Sequence, residues 1–390
     1  MKKTAMGSLL AGTVLVLASA VTSAEVKIGF IGPFSGPTAL LGQEQYDGLM
    51  LAIEMAGGKL GGQSVTVIRE DDQIKPELGA QATRKLIELD KVDTIVGLSA
   101  TNVLMASLPR IVESGKVALA SNAGPAVLAG AQCKPNVFVT AWQSDGPSEA
   151  MGKYVQEKGF KNVFLMAPNY QAGKDMLGGF KRYYKGEIVD EIYTQVGQTD
   201  YSAEITQIQM ARPEAVFVFY PGGMGINFTK QMAQAGLLPN LPVFSVFVVD
   251  PTTLPAIGNA AEGITASVIW DAEIDNPQNK AFVEAFRKKH NRTPSYYAAA
   301  GFDSGNLLGA AIDRLNGDLT DNAKFAAAVK QAGSEFKSVR GQFSFNTNNM
   351  PLQNYYIFQY QKAGDTVKPK LMGAPLEGHA DVYVANCPMK

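Results

Sequence analysis

Short runs of β-branched and aromatic residues alternate with amphipathic stretches along most of this chain. Continuous or alternating apolar positions predict strands over 26–31, 64–70, 94–97, 117–120, 163–167, 187–193, 215–220, 243–246 and 263–269. Apolar residues recurring three and four apart predict helices between them, among them 43–56, 77–89, 104–114, 146–158 and 226–235. Strands alternating with helices of this length build parallel sheets covered by helices on both faces, an α/β class. The alternation ends near residue 269, and two helical patterns follow at 277–290 and 296–315. Three polar, turn-rich stretches, "AWQSDGP", "WDAEIDNP" and "NTNNMPLQN", interrupt the pattern where a chain would pass between two domains. The two halves share one β/α rhythm, which suits two like domains facing a cleft. In such sheets ligands sit beyond the carboxyl ends of the strands, so the loops after strands carry the chemistry.

The first 24 residues differ in kind. Lys2 and Lys3 precede an apolar segment at 9–18 and then small residues, the pattern of an export signal. Cleavage fits after Ala24, or less neatly after Ala20. The segment is too short to span a bilayer. The remaining 366 residues exceed one ordinary core and suit two domains. With the two signal lysines removed, 33 basic residues face 36 acidic ones, so the chain has no nucleic-acid footprint and no polybasic membrane patch. An exported chain meets an oxidising compartment, and its two cysteines, Cys133 and Cys387, then allow one disulfide, tying the tail to the loop "AGAQCKPN".

The stretch "KIGFIGPFSGPTALLGQ" resembles the start of a nucleotide site: strand, glycine-rich turn, helix. It lacks the G-x-G-x-x-G spacing and any phosphate-loop lysine, and its prolines remove amide donors. The alternatives are a plain turn or an apolar lip formed by Phe34, Leu40 and Leu41 at the mouth of a cleft. Two later loops, "VGLSATN" and "ALASNAG", end strands and place hydroxyls and free amides at helix starts. Such positions favour an anion and support a carboxylate seat, although ordinary capping explains each hydroxyl alone. No catalytic constellation emerges. His290 and His379 sit in polar surroundings, Ser334-Glu-Phe-Lys337 lacks companion motifs, and no metal-ligand spacing occurs. Neither a cofactor nor a metal is expected.

Five stretches in order, "VKIGFIGPFSGPTALLGQEQYDGLMLAIE", "REDDQIKPELGAQATRKLIE", "VGLSATN", "APNYQAGKD" and "RGQFSFNTNNMPLQNYYIFQY", resemble the periplasmic leucine/isoleucine/valine-binding protein family. The resemblance implies two Rossmann-like lobes (type I periplasmic binding protein) joined by three hinge crossovers. It implies an N-terminal lobe of 25–142 plus 274–350 and a C-terminal lobe of 143–273 plus 351–390. It also implies a periplasmic solute-binding protein that closes on a small molecule and delivers it to an inner-membrane ABC permease; a monomer suits that docking. By position, Thr101 and residues Asn122, Ala123 and Gly124 correspond to the carboxylate seat, with Gly124 replacing a threonine of the amino-acid binders. Phe34, Leu41, Trp142, Tyr170, Tyr220 and Tyr297 are expected to line the pocket. Amino-acid binders of the family place a glutamate opposite the ligand ammonium; here that position holds Phe247. A buried ammonium without an anionic partner costs several kcal/mol, so the expected solute is an aromatic carboxylate. Asp145 or Asp250 serving an ammonium would restore a branched-chain amino acid; an aliphatic acid is the other alternative. A hydrolase on a related scaffold or a membrane-receptor sensor would be different classes of protein.

Overall fold

The computed structural model describes residues 25–36 and 38–389; the export segment expected at 1–24 lies outside them. Two sheets organise the chain. The first contains β1 (Val26–Gly32), β2 (Lys59–Leu60), β3 (Gln63–Asp71), β4 (Thr94–Gly97), β5 (Val117–Ala120) and β6 (Val137–Val139), in the order β2-β3-β1-β4-β5-β6. All its pairs are parallel except the β2–β3 hairpin. The second contains β7 (Asn162–Pro168), β8 (Glu187–Thr194), β9 (Ala215–Phe219), β10 (Val243–Val246), β11 (Thr265–Val268), β12 (Ser344–Phe345), β13 (Pro351–Ala363) and β14 (Thr366–His379). Its order is β12-β13-β11-β10-β9-β7-β8, with β14 on β13; β7 to β11 pair in parallel and β13 runs antiparallel to its neighbours.

The nine predicted strands all form, because buried parallel strands read as continuous apolar runs. The long β13–β14 hairpin was not anticipated. Buried polar Gln353 blurs the alternation of β13. Strand β14 is a largely exposed edge bearing Lys368 and Lys370, charges that discourage pairing with foreign strands and weaken the apolar signal.

The chain crosses between the sheets three times. It leaves β6 for the helix Gly146–Glu157, and returns after β11 to the helices Pro277–His290 and Tyr296–Arg314. Leu307, Leu308 and Ile312 of the latter pack on Val26, Ile28 and Phe30 of the first sheet. The third crossing leaves the helix Asn322–Ala332, which packs on the first sheet, and passes through β12, where Phe345 still packs on Phe138, into β13. Arg340 ties two crossings together. Its guanidinium donates to the carbonyls of Thr140 (2.6 Å) and Ala141 (2.8 Å), to Gln353 Oε1 (2.8 Å) and to Asp303 Oδ2 (2.9 Å). Arg340 and Asp303 are both buried, and a buried ion pair is tolerable when its remaining hydrogen-bonding capacity is filled in this way. Beyond β14 the tail returns to the first lobe, where Cys387 and Cys133 form a disulfide with Cα atoms 5.7 Å apart.

Candidate functional site

A cavity lies between the carboxyl ends of the two sheets, where doubly wound folds place ligands. Its lining includes Ile74 after β3, residues 99–101 after β4, Asn122 and Ala123 after β5, Tyr170 after β7, Val196 after β8, Phe219 and Pro221 at the end of β9, and Phe247 after β10. With its open mouth it encloses about 640 Å³. Among the described residues no Asp, Glu, Lys, Arg or His contributes to the wall.

The first-lobe wall is the polar one. The helix Thr101–Ser114 starts where the hydroxyl and amide residues of its loop predict, three residues before its apolar periodicity sets in, so Thr101 occupies the first helical position. The opening amides of a helix have no intrahelical acceptor, and the positive dipole end favours an anion there. The Thr101 hydroxyl borders the cavity and has no hydrogen-bond partner among the described residues. The Ala123 amide also has none. Gln45, fully buried on the helix Ala39–Met55, fixes both loops. Its Oε1 accepts from Ser121 Oγ (2.7 Å) and Ser99 Oγ (3.1 Å), and its Nε2 donates to the Leu41 carbonyl (2.9 Å). Asn122 Nδ2 donates to the Ser99 carbonyl (2.6 Å), joining one loop to the other. Free amides and a hydroxyl held on two clamped loops can bind a carboxylate without any countercharge.

Aromatic rings fill the middle. Phe247 adopts φ +61°, a left-handed conformation that costs a residue with a Cβ about 1–2 kcal/mol. Its ring lies 4.6 Å from Trp142, 5.1 Å from Tyr296, 6.1 Å from Phe219 and 6.2 Å from Tyr297, measured between centroids. Such pairs add about 0.5–1.5 kcal/mol each beyond burial. Met176, Met224, Ala172 and Val196 complete the second-lobe wall.

Of the sequence-predicted residues, Leu41, Thr101, Asn122, Ala123, Trp142, Tyr170, Phe247 and Tyr297 meet at this cavity. Three do not. Phe34, expected at the lip, turns away and packs on Phe30 (5.8 Å) and Tyr46 (5.9 Å) beneath the Arg69 guanidinium (4.5 Å). Its amide is held by Asp71 Oδ1 (2.8 Å). The opening loop is therefore a turn pinned by Asp71, and of its described apolar residues only Leu41 borders the cavity. Tyr220 is buried in the second-lobe core against Tyr201 and Phe228, its hydroxyl 3.0 Å from Thr194 Oγ1. Gly124 lies behind the wall. A Cβ there would stand 2.1 Å from the Trp142 carbonyl oxygen, so the threonine expected of amino-acid binders has no room. Instead the Gly124 carbonyl accepts from the Ser144 amide (2.7 Å) of the first crossing.

Neither buried aspartate considered for an ammonium reaches the wall. Asp250 accepts from the Tyr296 hydroxyl (2.8 Å) and from Thr252, and burial raises its carboxyl above the usual range. Asp145 accepts from Arg182 (2.8 Å) and Tyr383 (2.7 Å), and burial lifts it to about 6. Ser99, Ser144, Phe219 and the two methionines escaped the sequence reading. Ser99 lies two residues before Thr101 in the loop "VGLSATN", where its hydroxyl is a visible signal, whereas Met176 and Met224 lie on helices with no local mark of the cleft.

The sequence profile described as periplasmic binding protein matches residues 25–365. The Leu/Ile/Val-binding protein homolog 6 of Brucella melitensis biotype 1 is 28% identical over 377 residues, covering 94% of each chain. A solute binding protein of an ABC transporter from R. palustris, solved with benzoate, is 30% identical. It superimposes with a TM-score of 0.88 over 94% of this chain and 100% of its own. Another, from Rhodopseudomonas palustris BisB5 and solved with 3,4-dihydroxy benzoic acid, is 28% identical with a TM-score of 0.86, covering 92% and 99%.

Proposed function

Because the chain belongs to the periplasmic binding protein family, with two Rossmann-like lobes joined by three crossings, we propose that it captures an aromatic carboxylate for an ABC importer. The solute class is that of benzoate, hydroxybenzoates or phenylpropenoates. The observation that carries this reading is a wall that, among the described residues, has no charged side chain and pairs a donor-rich seat with a sleeve of rings. A carboxylate is served by the Thr101 hydroxyl, the first amides of its helix and the Ala123 amide. A flat ring is served by Trp142, Phe247, Tyr170 and Tyr297. An α-ammonium would be buried without a partner, at a cost of several kcal/mol. The benzoate and dihydroxybenzoic acid complexes of the two structural relatives support the same class.

The cycle has no bond chemistry. The solute docks on the first-lobe seat, the second lobe folds its apolar wall over the ring, and the closed pair of lobes presents one surface to an inner-membrane permease. The protein works in the periplasm as a monomer, after removal of its leader near Ala24. The second reading, a branched-chain amino acid or aliphatic acid binder, rests on the Leu/Ile/Val-binding relatives.

A thermal-shift panel on protein unfolded and refolded to strip bound solute separates them. Ligand at a hundred times its dissociation constant stabilises by about 2.7 kcal/mol, a readily measured rise in midpoint. A rise with benzoate or 4-hydroxybenzoate and none with leucine or isoleucine is expected. A rise with leucine alone would overturn the aromatic reading.

A further inference from the structure

The two halves of the cavity differ in what they offer a bound ring. The seat carries most of the donors, while the facing second-lobe wall is mainly carbon and sulfur, with the Tyr170 and Ser144 hydroxyls as its polar side-chain groups. Both sulfurs on that wall are already engaged: Met176 Sδ accepts from Ser148 Oγ (3.1 Å) and Met224 Sδ from the Gly197 amide (3.3 Å). A ring hydroxyl turned towards these sulfurs meets only weak acceptors that already hold a donor.

Three tyrosines are expected at the pocket wall, Tyr170, Tyr220 and Tyr297, and the structure separates them. Tyr220 lies outside the cavity, with its hydroxyl on Thr194. Tyr297 sits in the ring cluster, 4.4 Å from Tyr296, on the first-lobe side of the cleft. Tyr170 alone stands on the second-lobe wall. Its ring lies nearly parallel to Phe219, with 6.3 Å between centroids and 21° between planes, and its hydroxyl has no partner among the described residues. Burial and the nearby Asp175 charge raise its ionisation well above the usual phenol range, so the hydroxyl keeps its proton and can both donate and accept.

Resting on the aromatic-carboxylate reading, we propose that Tyr170 reads the ring substituent. It hydrogen-bonds one hydroxyl remote from the carboxylate, and the apolar wall around it rejects a second. The preferred solute is thus a monohydroxylated aromatic acid. A polar group buried without a partner loses its full hydration, whereas one that is matched gains only modestly, so rejection of the second hydroxyl is the stronger effect.

Isothermal titration of the refolded protein with benzoate, 3- and 4-hydroxybenzoate and 3,4-dihydroxybenzoate tests this, on the wild type and on Tyr170→Phe. That substitution removes only an unpartnered hydroxyl and keeps the stacked ring, so it should not disturb folding. In the wild type, the better monohydroxy acid should bind about fivefold more tightly than benzoate. It should also bind at least tenfold more tightly than the dihydroxy acid, a difference worth about 1.4 kcal/mol. The deciding quantity is the ratio of the benzoate to the hydroxybenzoate dissociation constant, which cancels any general change in ring packing. Tyr170→Phe should lower that ratio about tenfold. An unchanged ratio, or a wild type that binds the dihydroxy acid as tightly as the monohydroxy acid, would overturn the assignment while leaving the aromatic reading standing. No binding of any of the four acids would remove both.

Discussion

Replacing Gln45 by Met tests whether the seat is held from behind. Met keeps the unbranched volume of the side chain but removes its acceptor and donor. Two hydroxyls then lose their partner: Ser121, which is 0% exposed, and Ser99, which is 4% exposed. An orphaned buried hydroxyl costs about 1–3 kcal/mol. Ser99 borders the cavity and can turn towards it, so Ser121 bears most of the loss. The sum is about 2–4 kcal/mol. Urea unfolding of the refolded protein should show a lower midpoint at an unchanged slope, and affinity for the aromatic acid should fall about tenfold as the two loops loosen. The decisive measurement is the double variant with Ser121→Ala, which removes the orphan. It should recover part of the loss, giving a coupling of about 1 kcal/mol or more. A coupling near zero would mean that Gln45 matters only as packing, and the clamped-loop argument would fail.

Three further outcomes follow from the structure. Cys387→Ser opens a link spanning 254 residues, which the chain-entropy relation values at about 5 kcal/mol; a calorimetric midpoint equal to the wild type would show that the tail is held without it. Asp72 is fully buried, and burial, aided by the Asp71 charge and opposed by the Ile74 amide, lifts its carboxyl from 3.8 to about 6. It therefore binds more protons folded than unfolded, so its contribution is complete below pH 3.8 and is lost as pH rises through 6, about 3 kcal/mol in all. Asp72→Asn keeps an acceptor for the Ile74 amide and should reduce the fall of stability between pH 4 and 7 in urea titrations, the other carboxyls raised by burial, Asp145, Asp175 and Asp381 among them, accounting for slope that remains; an unaltered slope would count against the burial argument. Phe247→Glu places a carboxylate in the wall that faces the bound anion; for two such charges about 6 Å apart at an effective dielectric of ~20 the repulsion is about 3 kcal/mol. Titration should show benzoate affinity lowered at least a hundredfold, and an unchanged affinity would place the solute elsewhere.

The strands could be read before the fold was known because a buried parallel strand declares itself in a handful of adjacent residues. The post-strand loops could be read for the same reason: Thr101, Asn122 and Ala123 follow their strands directly, wherever the rest of the chain goes. Elsewhere local pattern was insufficient. Phe219 and Tyr220 are neighbours, and at the end of β9 the choice of which one faces the cleft is a matter of strand parity, set by how the sheet packs. Phe34 had an equal claim to the lip, but Phe30, Tyr46 and Arg69 offered it a better-packed place. Met176 and Met224 lie on helix faces that become walls only when two lobes are set opposite each other.

The sequence by itself determined the α/β rhythm, the pair of cysteines and the absence of an acid at Phe247, since these depend on residue identity and near neighbours. Tertiary structure alone decided that Gln45 holds two loops, that Gly124 makes room for a crossing, and that one tyrosine of three has a free hydroxyl on the second-lobe wall. Each of these depends on distances between residues 18 to 76 positions apart, which the folded backbone sets and no local pattern encodes.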